Sequence, residues 1–202
     1  MEKSGVCIIA ITLFAACSHR DTAAVDVSGI DFAEGDLVFR RGAGAKSNAV
    51  LAADTAGIYS HSGIVVRQDS AFMVVHVTAG ERAAGETDDR IKMETPERFF
   101  ATDRAEHGAV YRLHDSVGVH SAAARQAVRL WNKGVLFDHD YLLDDSTKMY
   151  CTELVWQAYL LAGKDITNGR RSEMRNVPMF SGVYILPSDI YKNEAFLVIY
   201  KF

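Results

Sequence analysis

The sequence is poor in the residues that would divide or cross-link it. Proline occurs only three times in 202 residues, so no Pro-rich linker separates modules, and the length suits one core better than two. Cysteine also occurs three times. Two of the three, Cys7 and Cys17, fall in the N-terminal stretch, which leaves no pair for a disulfide in the body of the chain. Positive charge is short: 22 Lys and Arg against 26 Asp and Glu give a formal charge of −4, and the electrostatic case for nucleic acid disappears with it. A long hydrophobic run is missing as well. The stretch "GVCIIAITLFAAC" falls short of the roughly 20 apolar residues that a bilayer span needs. Repeats, low-complexity tracts, a GxSxG elbow and a phosphate-cradling glycine loop are absent too. What remains is a chain 49% hydrophobic and 24% charged, the composition of an ordinary globular domain.

The N-terminal apolar run has the length of a signal-peptide core, and the polar "SHRD" follows it. Its end, Phe14-Ala15-Ala16-Cys17, resembles a bacterial lipobox, with two small residues before the cysteine that becomes lipidated and Phe14 where Leu is commonest. The expectation is a lipoprotein signal peptide over residues 1–16, a flexible tether over 17–30 and one catalytic domain over 31–202. The protein would then sit at the bacterial cell envelope, held to a membrane by a lipid on Cys17 and facing the periplasm or the exterior. The alternatives are nearby cleavage that releases a soluble protein, or an uncleaved anchor.

Within the body, "GDLVFRRG" reads as a short strand bounded by glycines, and "GAGAKSNAVLAADTAG" as a small-residue loop with a helical turn in its middle. "HSGIVV" and "AFMVVHVT" read as a hairpin across "RQDS", and "ERAAGETDDR" as a charged surface loop. "TPERFF" begins a helix, with Thr95 as N-cap and Pro96 at the first helical position. "GAVYRLH" returns to strand. "SAAARQAVRLWNKG" is an amphipathic helix, with Ser121 as N-cap, Ala124, Ala127, Val128 and Trp131 on one face, and Gly134 as terminator. A helix from Cys151 to Gly163, a polar loop over 164–178 and the strands "GVYIL" and "FLVIYKF" complete the chain. Strands and helices are segregated, so the expected class is α+β with a mainly antiparallel sheet.

Once Cys7 is removed and Cys17 capped, Cys151 is the one free thiol, at the head of its helix in "KMYCTELVWQAY". Cys151, Leu154, Val155, Ala158 and Ala162 share one helical stripe, so the thiol points toward the core side. Free cysteine often serves as a small buried hydrophobe. At a helix N-terminus, however, backbone N–H groups and the dipole favour a thiolate and can hold an oxyanion. Of seven histidines, the hairpin selects two. Centring its turn between Gln68 and Asp69 places His61 directly opposite His76, on one sheet face that the Cys151 helix should cap. One imidazole can then act as base while the other orients it. Each histidine can equally be a plain structural residue. A zinc site from two histidines and a cysteine has no second cysteine or HExxH spacing to support it, and "DHDYLLDD" lacks the ligand spacing and the glycine of a calcium loop. We therefore expect no metal and no cofactor.

These residues resemble a known family. "GDLVFR", "YSHSGIVV" and "FDHDYLLDDSTKMYCTELVWQAY" look like the circularly permuted NlpC-type papain-like hydrolases, the YiiX/YaeF group, over roughly residues 35–160. The resemblance implies a papain-like sheet or half-barrel packed on helices, with Cys151 as nucleophile, His61 as base and His76 as the orienting third group. Glutamate is common at the third position in that group; a histidine there is similar instead to unpermuted NlpC enzymes and to lecithin:retinol acyltransferase-like proteins. Glu153 of "CTEL" also matches the motif, in a position suited to capping. The implied activity is that of a lipid-anchored cysteine hydrolase cleaving an amide, with cell-wall peptides as the first choice of substrate. The alternatives are an acyltransferase or lipid hydrolase using the same residues on a lipid-like amide or ester, and a catalytically silent binding lipoprotein. Arg170 and Arg171 are candidates to rim the cleft.

Overall fold

Strict alternation in the strands sends two sets of side chains to two sides of one sheet. The protein, seen in a computed structural model, is described at residues 25–82, 85–114, 118–143, 145–174 and 182–202. The expected signal peptide with Cys7, and the lipidation residue Cys17, lie outside the described residues. The elements run β1 (Leu37–Arg41), α1 (Ala45–Ala53), β2 (His61–Gln68), β3 (Ala71–His76), β4 (Lys92–Glu94), α2 (Pro96–Phe99), β5 (His107–Leu113), α3 (Val119–Asn132), β6 (Leu136–Phe137), β7 (Lys148–Met149), α4 (Cys151–Leu161), β8 (Ser172–Met174), β9 (Gly182–Tyr184), α5 (Pro187–Tyr191) and β10 (Phe196–Lys201). The main sheet has six strands in the order β10-β5-β1-β2-β3-β4, paired antiparallel throughout. This is the α+β class that segregated strands and helices predict.

Leu37 and Phe39 of β1, Ile64 and Val66 of β2, Val75 of β3 and Ala109 and Tyr111 of β5 face one way, into a core completed by α3 and α4. Val38, Val65, Val74 and Val110 face the other way, onto Phe99, Phe100 and the chain before β1. There Val27 and Ile30 are buried, so the described end of the expected tether is packed against the sheet. Period two thus decides which residues meet which layer.

The "GD" before β1 has a structural purpose. Asp36, fully buried, accepts from Arg112 Nε at 2.7 Å and Nη2 at 2.9 Å, and so ties β1 to β5 with a bidentate charged pair. Gly35 takes φ 84°, and a Cβ there would lie 2.7 Å from the backbone of His120, so only glycine lets α3 approach this closely.

Several local expectations need correction. The α3 cap is Gly118 in the left-handed region, not Ser121; Ser121 lies inside the first turn, its hydroxyl 3.5 Å from Glu34 Oε2. The buried stripe of α3 is Ala123, Ala124, Ala127 and Leu130, which leaves Trp131 at 36% exposure. The small-residue loop holds a full helix, α1, none of whose residues is buried. The "ERAAGETDDR" loop is not all surface, because Glu81 pairs with the buried Arg40.

The hairpin shows the most instructive difference. Its loop is the two-residue turn Asp69-Ser70, since Gln68 pairs with Ala71. Asp69 takes φ 54°, the left-handed conformation that two-residue hairpins favour because its twist matches that of the strands. The register is thereby shifted by two residues from the expected one. His61 and His76 remain on one face but become diagonal neighbours, a separation that aromatic rings can bridge. Continued one step, the pairing sets Gly63 across from His76. A Cβ on Gly63 would lie 2.7 Å from Val74 Cγ1 and 3.2 Å from His76 Cβ. Gly63→Ala should therefore destabilise the protein by about 1–3 kcal/mol through overpacking; an unchanged denaturant midpoint would show that the strand pair has room to spare.

Candidate active site

Each candidate residue is placed by a separate feature of the fold. His61 is the first residue of β2 and His76 the last of β3. Both are buried, and His61 Nε2 lies 2.9 Å from His76 Nδ1. The rings meet edge to face with centroids 5.0 Å apart, and Phe99 of α2 stacks on His61 at 5.6 Å. On its far side His76 Nε2 lies 2.9 Å from Glu94 Oε1. Thr95 caps α2 as expected, accepting from Arg98 N, and that cap brings Phe99 under the imidazoles.

Cys151 opens α4, half-buried. Glu153 stays inside the same turn, where its Oε2 accepts from the Tyr150 N–H at 3.3 Å, half of a capping box. The helix does not cap the histidine face. Leu154, Val155, Ala158 and Tyr159 pack with Leu37 and Ile64 on the opposite side of the sheet. The thiol instead meets the start of β2 at Ser62, whose backbone N–H and hydroxyl both favour the thiolate. That hydroxyl is fully buried and makes no hydrogen bond among the described residues. Cys151 and His61 line one cavity of about 1000 Å³ that wraps the end of the sheet, with Tyr141, Tyr150 and Phe137 on one side and Ala49, Val50, Ala52 and Ala53 of α1 on the other. Arg170 and Arg171 do not line it: Arg171 stacks on Trp156 at 4.7 Å, and Arg170 donates to the Lys192 carbonyl.

Beneath the histidines lies a cluster that the sequence did not advertise. Arg40 of β1 donates to Glu81 Oε1 at 2.5 Å and to the Phe99 carbonyl at 2.7 Å. Lys92 reaches Glu81 Oε2 at 3.1 Å, and Arg104 reaches it at 2.8 Å. Arg104 also donates to both oxygens of Glu94, at 2.9 and 3.0 Å. These five residues come from four separate stretches of chain, so no local pattern could have joined them. The one available signal was the arginine pair that ends an otherwise apolar strand.

The electrostatics follow from burial and from this excess of cations. Desolvation pushes both histidines well below their ordinary value of 6.5, and Arg40 pushes further in the same direction. Glu81 resists its own desolvation because Arg40, the histidines and Lys92 surround it, and it is held down at about 2. Burial raises the Cys151 thiol, against the lowering by Ser62 and by the backbone N–H groups of Thr152 and Cys151. This corrects the expectation of a helix-stabilised thiolate. Both shifts favour the uncharged forms, a thiol and an imidazole that line the same cavity.

A sheet that presents hydrogen-bonded histidines from two adjacent strands, one of them sharing a cavity with a cysteine that heads a packed helix, is the arrangement of the papain-like hydrolases. The chain belongs to the permuted papain-like amidase family YaeF/YiiX, C92, whose pattern it matches over residues 31–179. Among solved structures it is similar to one described as the metalloprotein YiiX from Escherichia coli O157:H7, with a TM-score of 0.66 and 20% identity, covering 84% of this chain and 97% of that one. No curated protein matches the chain significantly. Family and neighbour bear out the α+β papain-like fold, and the family is one of amidase and peptidase enzymes.

The buried histidines predict an acid limb of stability. Unfolded histidine binds its proton near pH 6.5, whereas His61 and His76 refuse it in the folded state until well below that. Between the two values the unfolded chain holds more protons, so stability falls as pH drops from about 6.5. Glu81 adds a second loss in the same direction, beginning below its ordinary 4.5 and complete near 2. Urea midpoints measured from pH 7.5 down to 4 should decline steadily; a flat profile would mean that the histidines are protonated in place.

Proposed function

We propose that this chain is a lipid-anchored cysteine hydrolase of the bacterial cell envelope that cleaves an amide through an acyl-cysteine. The observation that carries the reading is a thiol at a helix head sharing one cavity with His61, which is hydrogen-bonded to His76 behind it. Cys151 is the nucleophile, His61 the base and His76 the group that holds His61 in place. As sulfur bonds to the substrate carbonyl carbon, the thiol proton passes to His61. The new imidazolium is steadied by His76, and the carbonyl oxygen is met by N–H groups at the head of α4. The proton then goes to the departing amine as the C–N bond breaks. Water, deprotonated by His61, releases the acid and restores the thiol. A peptide amide, such as that of a cell-wall peptide, fits this sequence of steps.

One observation favours a second reading on the same residues. The cavity is wide, and α1 gives it Ala49, Val50, Ala52 and Ala53 beside Lys46 and Ser47, whose polar groups are engaged with Ala79 and Ser60. Such a wall suits an aliphatic acyl chain, so a lipid-like amide or ester is the alternative substrate, with water or an amine as acceptor.

The similar YiiX structure is described as a metalloprotein, and His76, Glu81 and Glu94 are close enough together here to ask whether they could hold an ion. They do not fit one. His76 uses one nitrogen on His61 and the other on Glu94, while Arg40, Lys92 and Arg104 occupy the carboxylates. A divalent cation would have to enter among three positive charges.

Cys151→Ala and His61→Ala should keep the fold, and the first should abolish turnover of an acyl-amide library. The second should lower it by on the order of 10²–10⁴-fold; a fully active Cys151→Ala protein would end the reading. For the anchor, metabolic labelling with a fatty-acid analogue should mark the wild type and leave Cys17→Ser unmarked. Equal label on both would place the lipid elsewhere.

A further inference from the structure

A histidine whose two nitrogens are both engaged has a direction, and the direction is set by whichever neighbour cannot change roles. His76 has such a neighbour in Glu94. A carboxylate only accepts, and both oxygens of this one accept from Arg104. His76 Nε2 must therefore carry the proton that it shares with Glu94 at 2.9 Å. In a neutral ring that leaves His76 Nδ1 as a lone pair. Among the described residues the partner of that nitrogen is His61 Nε2, at 2.9 Å, which must then be an N–H donor. The remaining nitrogen of His61, Nδ1, is left as the basic lone pair.

We propose that Glu94 is a positioning residue that sets the tautomers of both histidines and so leaves His61 Nδ1 free to take the proton of Cys151. This rests on the nucleophile and base assignments above, and adds a residue two hydrogen bonds from the base. The groups around the relay are Arg40 from β1, Glu81 from the loop after β3, Lys92 beside Glu94 on β4, Phe99 from α2 and Arg104 from the loop after α2. None of them contacts a ring nitrogen of His76 in place of Glu94, and the other carboxylate, Glu81, is held by three cations. The direction of the chain therefore depends on Glu94 alone among the described residues. An amide at this position can present N–H as well as oxygen, and would let the whole chain run backward, with a proton on His61 Nδ1 where the base should be.

Nitrogen-15 labelling of histidine in the full chain reads the tautomers directly, through long-range proton–nitrogen couplings. Both rings should be Nε2–H in the wild type and in Glu94→Asp, and Glu94→Gln should populate Nδ1–H in both. Over the same variants, alkylation of Cys151 by iodoacetamide near neutral pH should be retained in Glu94→Asp and fall on the order of 10²-fold in Glu94→Gln, the penalty of a base held in the wrong tautomer. The pH at which alkylation is half-maximal should move in Glu94→Gln, which a purely structural role would not cause. Nδ1–H signals in the wild type would overturn the proposal, as would unchanged tautomers in Glu94→Gln or a His76 signal that shifts on chelation. An inert Cys151 in a wild type with both rings Nε2–H would instead sink the nucleophile assignment while the tautomer relay stood.

Discussion

Two carboxylates hold three cations beneath a pair of buried imidazoles, and the site depends on that imbalance. Arg40 is nearly inaccessible at 3% exposure, and an unpaired guanidinium there would cost several kcal/mol. Glu81 prevents this, yet two carboxylates cannot neutralise Arg40, Lys92 and Arg104 together. Burial first, and then the residual positive field, pushes His61 and His76 well below the ordinary imidazole value. A base must be empty to work. On the proposed reading, the cluster that looks like structural ballast therefore adds to what burial does in keeping the imidazoles in the form that acyl transfer requires.

The same constraint explains why the site joins two sides of a sheet. The histidines need a buried, cation-lined surface, which the α2 side supplies through Phe99 and Arg40. The cysteine needs a rigid helix head, which the other side supplies because α4 is anchored by Leu154, Val155, Ala158 and Tyr159 in the larger core. Cys151 and His61 share one cavity where the sheet ends. His61 as first residue of β2 and Cys151 as first residue of α4 are consequences of that geometry: either residue one turn deeper would be walled off by its own layer.

What the sequence made legible was local and periodic. The stripe behind Cys151, the Thr95 cap and the alternating valines of the hairpin each need only a few neighbouring residues to be read. The common face of His61 and His76 was legible for the same reason, since parity survives a register error of two. Their direct opposition was not, because it depended on the φ of Asp69. Glu81, Lys92, Glu94 and Arg104 escaped notice because charged residues near loops normally stay wet, and nothing short of the fold brings them under Arg40. The position of α4 on the far face was likewise invisible: an amphipathic helix shows which side it buries, but not which side of a sheet receives it.

The wall formed by α1 has a further consequence. A helix with no buried residue is held in place mainly by a few polar ties, Lys46 to the Ala79 carbonyl and Ser47 to Ser60 among them. Little apolar area is exposed when it moves, so its local opening free energy lies far below that of the sheet. Its amide protons should exchange with solvent orders of magnitude sooner than those of α4. The cavity thus has one hard side and one compliant side. On the proposed reading, the hard side would align sulfur and imidazole and the compliant one would adjust to the acyl group, so that fidelity of the chemistry and breadth of the substrate would reside in different parts of the chain.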